Sequence, residues 1–351
     1  MLTMPHFNPA PATLHEVLDP AWLSAMLAPN WPAARVTDVT VVEVLATQAT
    51  KVRIALTIEG RTDAPRALCI KGVLTDTGAV PAASIVETLF YREAAAALPV
   101  TVPPCIHASL DADGVRGVIV MNDLIAAGGS FCTALEPFTP DQAADGLTQL
   151  ARLHATSWGG VIARPTPWVI SFLDRISHQP IMPLAMLQSL LDGPRGARLD
   201  PAARDAARLQ QALERLAAEV RSGPRCFVHG DAHAGNVYRQ ADGTLGLVDW
   251  QILQTGNWAQ DVAYHLAAVL TPEVRRSHER TLLDDYLARL KAAGGPELDR
   301  EEAWRQYRVA VVYGYYLWSI TRKVDADIIE EFVHRLGTAA HDLGSFALLR
   351  A

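Results

Sequence analysis

Between residues 36 and 74 the chain runs in short β-branched stretches, VTDVTVVEV, KVRIALTIEG and RALCIKGVL, separated by turn-forming residues. Such pieces predict antiparallel strands. At 83–98, ASIVETLFYREAAAAL changes to apolar residues at helical spacing, so a helix is expected after the third strand. CIHASLDADG and VRGVIVMNDL then predict two more strands around a tight Asp-Ala-Asp-Gly turn. Upstream, DPAWLSAML predicts a helix with Asp19 as N-cap and Pro20 in its first turn. After LIAAGGSFCTAL the texture becomes helical. DQAADGLTQLARLHATSW places Leu147, Leu150, Ala151, Leu153 and His154 on one face, and RDAARLQQALERLAAEV and the segments from 273 onward are similar. The strand-like pieces of this half, RCFVHG and GLVDWQ, flank the segment FVHGDAHAGNVY.

The pattern predicts a two-lobed α+β architecture. Residues 1–124 form a small lobe with an N-terminal helix, a five-stranded antiparallel sheet and one further helix. Residues 125–351 form a mainly helical lobe with a short hairpin, and a hinge falls near Met121–Leu124. The length of 351 residues agrees with two lobes around separate cores. The longest apolar stretch, VAVVYGYYLWSI at 309–320, is too short to span a bilayer and is expected as a core helix. The N-terminus lacks a basic start followed by an apolar run, so no signal peptide is expected and the chain reads as soluble and cytoplasmic, with no membrane partner. A net charge of −7 without a basic run argues against nucleic acid as partner. Cys69, Cys105, Cys132 and Cys226 lack CxxC spacing; each is expected as a small buried residue in a reducing compartment. Nothing in the pattern fixes an oligomeric state.

Two places carry candidate chemistry. Lys71 lies among Leu68, Cys69, Ile70 and Val73, where a charge is costly unless paired. It is either an edge lysine whose ammonium reaches water, or one half of a pair with Glu87 or Glu93 on the following helix, sharing a ligand anion. The second place is HGDAHAGN. His229, Asp231 and His233, with Asp249 as a fourth group, have the residue types of a metal-hydrolase cluster. Two glycines and an asparagine make the regular strand such a cluster needs improbable. In the alternative, Asp231 takes or orients the proton of an attacking hydroxyl, while Asn236 and Asp249 bring a neutral oxygen and a carboxylate to one Mg²⁺. The turn QADG at 240–243 lets the chain fold back so that these two approach one point. Phosphoryl transfer needs such positioning more than covalent chemistry.

HGDAHAGN followed by LVDWQ resembles the catalytic and metal-binding pair of protein-kinase-like folds, in the small-molecule branch. The chain looks like a member of the aminoglycoside phosphotransferase and choline kinase superfamily over about residues 20 to 345. E-x-x-F-Y at 87–91, LARLHATSW at 150–158 and Asp249 before an aromatic-Gln pair look most like the ecdysteroid kinase-like group and its bacterial relatives. The resemblance implies transfer of the γ-phosphate of ATP, with Mg²⁺, to a hydroxyl of a small-molecule alcohol. It assigns Asp231 as catalytic base and Asn236 and Asp249 as metal ligands. Lys71, held by Glu87 or else Glu93, would touch the α- and β-phosphates, and Met121, Asn122 and Asp123 would line the nucleobase site. Asp261 resembles the aspartate that braces the catalytic loop; it is equally readable as a plain helix-start carboxylate.

The chain departs from the family in two places. The loop expected over the phosphates, VLATQATKVR, has no glycine between Val41 and Glu59, so contact is left to Thr47, Gln48 and Thr50 side chains. Trp250-Gln251 stands where Phe-Gly is common. The glycine-free loop is what supports a second alternative, a kinase-shaped nucleotide-binding protein without turnover. His154 and His229 are expected to be structural and His233 solvent-facing. The aromatic residues of the helical half, mostly core, leave room for a pocket suited to an apolar or ring-containing alcohol.

Overall fold

The computed structural model describes residues 9–46, 49–74, 83–160, 162 and 165–351. Thr47 and Gln48, expected over the phosphates, lie outside the described residues. The chain divides into two compact units. The first holds Met1–Ala96, Val102–Ser130 and Gln240–Asp242, and the second holds the remainder.

The first unit opens with helices Leu14–Val17 (α1) and Pro20–Leu27 (α2). Asp19 caps α2 by accepting from the Ala21 amide, and Pro20 occupies the first turn. Strands Arg35–Ala46 (β1), Thr50–Glu59 (β2) and Ala67–Gly72 (β3) follow, then helix Ala83–Leu89 (α3) and strands Cys105–Leu110 (β4) and Gly117–Asn122 (β5). They form one antiparallel sheet in the order β1-β2-β3-β5-β4, which matches the sheet expected. Alternation decides its faces. Leu68 and Ile70 of β3 enter the core with Val52, Ile54, Val118 and Val120. Lys71, one residue on, turns to the other face from the middle strand, opposite Lys51 and Ile119 in register.

Strand Ser130–Phe131 (β6) lies where the chain passes to the second unit. Helices Pro140–Thr156 (α4), Phe172–His178 (α5), Leu184–Asp192 (α6) and Ala206–Ser222 (α7) follow. Next come strands Cys226–Val228 (β7), Val237–Arg239 (β8), Leu245–Leu247 (β9) and Gln254–Gly256 (β10). Helices Ala259–Val269 (α8), Pro272–Ala292 (α9), Arg300–Ile320 (α10), Ala326–Asp342 (α11) and Ser345–Leu348 (α12) complete the unit. Every residue of α8 is buried, and α4, α10 and α11 pack around it. A helix apolar nearly all round belongs inside a core, and the polar side chains it carries need partners there. The apolar run 309–320 is the buried C-terminal half of α10, as its pattern predicts.

The fold-back expected across the 240–243 turn is made by β8 and β9, while β7 pairs with β10. Each of these strands has three residues, too few for alternation to register in sequence. Among the cysteines only Cys226 is buried; Cys69 and Cys132 are half-buried and Cys105 is exposed.

Candidate active site

In the first unit Lys71 Nζ lies 2.6 Å from Glu87 Oε2, with both side chains almost fully buried. Glu93 instead pairs with its neighbour Arg92. α3 therefore supplies the partner from its last turn, and Glu93 is carried into the π-helical turn Phe90–Ala94 beyond it. A buried pair of this kind is costly to break, because either partner alone leaves an uncompensated charge.

Met121 is buried at the end of β5 and Asn122 follows it half-buried. Their neighbour Asp123 is committed to the fold. Its carboxylate accepts from Arg53 Nε at 3.0 Å and from the Ile125 and Ala126 amides, and its own amide donates to the Ala67 carbonyl. The Asn122 amide is likewise taken by the Pro104 carbonyl. Asp123 thus pins the end of the sheet and the turn after it.

In the second unit the catalytic-loop candidate, residues 229–236, is held mostly by one helix face. Asp261, Tyr264 and His265 stand at i, i+3 and i+4 of α8, so they project side by side. Asp261, fully buried, accepts from the His229 amide at 2.6 Å and the Gly230 amide at 2.8 Å. His154 Nε2 adds a third contact to Asp261 at 3.1 Å, and Tyr286 holds the other side of that ring. His265 Nδ1 reaches the Ala232 carbonyl at 3.0 Å. Tyr313 of α10 donates to the Gly230 carbonyl and receives from Gln254 of β10. Gly230 itself has φ +80°, and a Cβ there would lie 2.5 Å from the Ile252 carbonyl oxygen, so only glycine fits.

Asp231 sits at the centre. Tyr264 Oη donates to Asp231 Oδ1 at 2.9 Å and Asn236 Nδ2 donates to Oδ2 at 3.0 Å. His233 Nε2 stands 3.5 Å from the same Oδ2. Asp231 still exposes 19 % of its side chain, enough for a hydroxyl to reach. Burial pushes its carboxyl up, yet the charge and hydrogen bond of His233 outweigh burial and hold it below the ordinary aspartate value. Burial and the Asp231 charge push the Tyr264 phenol well above its usual value, so it remains a donor.

The ligand pair for a cation follows from the same geometry. Asn236 turns its amide nitrogen to the Asp231 carbonyl and carboxylate, so its Oδ1 takes none of the hydrogen bonds among the described residues. The Val248 amide donates to the Asn236 carbonyl at 2.9 Å and brings Asp249 alongside. Asp249 adopts φ +66°, a left-handed conformation uncommon for aspartate, and its charge acts on Asp231. One amide oxygen and one carboxylate suit Mg²⁺, which keeps waters and substrate oxygens for its other positions.

The metal-hydrolase arrangement is overturned. His229 Nε2 donates to the Val248 carbonyl and its Nδ1 accepts from the Asp231 amide, so both ring nitrogens are spent inside the loop. Burial lowers its basicity, which keeps it in that neutral form. Among the described residues no group of three or more His, Cys, Asp or Glu could hold a metal ion. His233 corrects a second expectation. It is largely buried, with ring centroids of Trp318 at 5.0 Å and Phe332 at 5.1 Å. Trp250, fully buried, packs its ring 4.6 Å from His229 and so supports the loop from beneath. The sequence reasoning missed Tyr264, His265, Tyr313 and Gln254. The signal for the first two was present: residues with polar groups at i+3 and i+4 from Asp261 in a mostly apolar helix.

A sheet-bearing unit with a buried Lys-Glu pair, and a helical unit with a braced aspartate beside an Asn-Asp pair, define a kinase-like phosphotransferase. The profile of the phosphotransferase enzyme family (APH) matches residues 82–308. The chain belongs to that family. Its fold is similar to that of a microcompartment-associated aminopropanol kinase, at 15 % identity and a TM-score of 0.52, over 92 % of this chain and 98 % of the other. A Thermobifida fusca protein assigned as a fructosamine-3-kinase gives 18 % identity and a TM-score of 0.50, over 91 % of this chain and 98 % of that one. No curated protein matches the chain.

Proposed function

We propose that this protein is a small-molecule kinase that transfers the γ-phosphate of ATP, with Mg²⁺, to an alcohol hydroxyl. The observation that carries this reading is the division of labour around Asp231. Its carboxylate is fixed by Tyr264 and Asn236 and stays ionised, while the Asn236 oxygen, with Asp249 brought alongside by the Val248 amide, would meet a cation. In the two similar solved structures the named acceptors are small molecules, an aminopropanol and a fructosamine, which supports the same class here. We place the chain with the ecdysteroid kinase-like group and its bacterial relatives on the E-x-x-F-Y and LARLHATSW segments, and in the cytoplasm. Among the described residues no helix is long and apolar enough to cross a membrane.

Asp231 orients the acceptor hydroxyl and takes its proton. As it does so, the hydroxyl oxygen bonds to the γ-phosphorus, the bond from that phosphorus to the β,γ-bridging oxygen breaks, and ADP leaves with the bonding pair. Tyr264 and Asn236 keep the carboxylate aimed, and Asp261 keeps the loop from drifting. Mg²⁺ held by Asn236 and Asp249 would offset charge on the phosphates. Lys71, oriented by Glu87, would bind α- and β-phosphate oxygens, with Thr47 as a side-chain donor and Met121 and Asn122 beside the nucleobase. Asp123 takes a positioning part.

Thermal unfolding with Mg²⁺-ATP tests the reading. Saturation near a hundred times the dissociation constant stabilises the native state by about 2.7 kcal/mol. That shift is expected in the wild type, to persist in Asp231→Asn, and to vanish in Asp249→Ala. Asp231→Asn is expected to lose transfer by about 10²–10⁴-fold. A shift without turnover of any alcohol would favour a nucleotide-binding protein; full transfer in Asp231→Asn would remove Asp231 as base.

A further inference from the structure

We infer that the acceptor carries a carboxylate at a distance from its reactive hydroxyl, bound by Arg195 and Arg322 beyond the aromatic wall of Trp318. This deepens the kinase reading and rests on it. The line of contact starts at the base. His233 stands against Asp231, and the Trp318 ring lies on His233, tilted against Phe332 at a centroid distance of 4.1 Å. The backbone of that same tryptophan is where the arginine site begins. Arg195 Nη1 reaches the carbonyls of Ser319 at 2.7 Å, Thr321 at 2.9 Å and Trp318 at 3.4 Å. It thereby caps the C-terminus of α10, whose orphan carbonyls and dipole favour a cation. Only one of its terminal nitrogens is used. Nε and Nη2 take no hydrogen bond among the described residues, and no carboxylate lies within 4.0 Å of the guanidinium there.

Arg322 follows directly on Thr321, so the same three residues bring a second guanidinium to this end of α10. Its one contact among the described residues is Met186 Sδ at 3.8 Å, and it too forms no ion pair. The two cations act on each other. Burial lowers the basicity of Arg195, the Arg322 charge lowers it further, and Glu330 opposes this from outside pairing range. Elsewhere in this unit Arg198 pairs with Glu331, Arg221 with Asp174, and Arg275 with Glu279 and Asp342. Two like charges that act on each other, opposed only by the more distant Glu330, gain once a carboxylate arrives, which arginine meets with paired N–H donors. Met186 beside Arg322 is exposed, as are Leu184 and Ile181, so the body of the acceptor has apolar surface to lie on. A polycationic acceptor finds the wrong sign here.

The test is ADP release by the full chain with Mg²⁺-ATP and matched acceptors: aliphatic and aromatic hydroxy acids, their methyl esters, and amino alcohols. The acids are expected to show kcat/KM about tenfold or more above their esters. Arg322→Gln should bring that ratio near one and Arg322→Lys should restore part of it, with the ATP-induced thermal shift confirming that each variant is folded. Esters or amino alcohols equal to or better than the acids would overturn the inference, as would an unchanged ratio in Arg322→Gln. So would an ATP-induced shift without turnover of any acid. Absence of both the shift and turnover would take down the kinase reading, and this inference with it.

Discussion

The Tyr264 hydroxyl donates to Asp231 Oδ1 at 2.9 Å, and the residue that makes room for the tyrosine ring is a glycine on a different helix. A Cβ on Gly314 of α10 would come within 2.6 Å of that ring. The aim of the Asp231 carboxylate therefore depends on a close approach between two core helices.

Tyr264→Phe is expected to fold and to lose roughly tenfold in kcat, the worth of about one charged hydrogen bond. Gly314→Ala should act through the same bond, displacing the ring and costing about 1–3 kcal/mol of stability by overpacking. Steady-state kinetics together with urea denaturation separate the two, since only the alanine variant moves both. Unchanged kcat in Tyr264→Phe would show that the hydroxyl does not aim the base.

The pH dependence of kcat/KM has a defined sign. Asp231 is held below the ordinary aspartate value, chiefly because His233 outweighs burial. Its carboxylate, and the stability it contributes, are present above the ordinary value near 3.9 and are lost as pH falls through the lower folded value. His233→Gln leaves burial less opposed, so any acid limb due to Asp231 should move to higher pH. A limb that stays or moves down would assign it to another group.

Asp261→Ala strips acceptors from two backbone amides and from His154 at once. A loss of about 3–5 kcal/mol is expected in denaturant unfolding, with little activity left. Asp261→Asn keeps one oxygen and should cost less. Equal, small effects would mean that Asp261 is an ordinary helix-start residue.

Lys71→Ala and Glu87→Gln should both weaken Mg²⁺-ATP binding, the lysine change more, because it removes the charge proposed to meet phosphate. Glu93→Gln should leave binding as it is, since Glu93 pairs with Arg92. Nucleotide titration by thermal shift or calorimetry reads all three.

Much of this was legible in the residue pattern, for physical reasons. The sheet declared itself because its strands are β-branched runs of six or more residues that end at turn-forming residues. HGDAHAGN was visible because order and spacing survive without knowledge of contacts. What stayed hidden depends on distant chain segments. Tyr313 reaches Gly230 from α10, and Gln254 reaches Tyr313 from a three-residue strand, and no local spacing encodes either. His233 looked solvent-facing because the rings that cover it, Trp318 and Phe332, come from α10 and α11. Glu87 and Glu93 could not be told apart because Glu93 lies within the π-helical turn Phe90–Ala94, where regular helical spacing no longer applies.

The two amides that end on Asp261 point to a separation of roles within the second unit. Their acceptor stands on a helix with no exposed residue, so the His229 and Gly230 amide hydrogens can meet solvent only when that helix leaves the core. They belong with the slowest-exchanging hydrogens of the molecule, in the same cooperative unit as α8 and α10. The loop proposed to carry the chemistry is thus as durable as the fold itself. Adjustment to an incoming molecule falls to exposed stretches such as Ile181 to Met186, which can change without loosening the base.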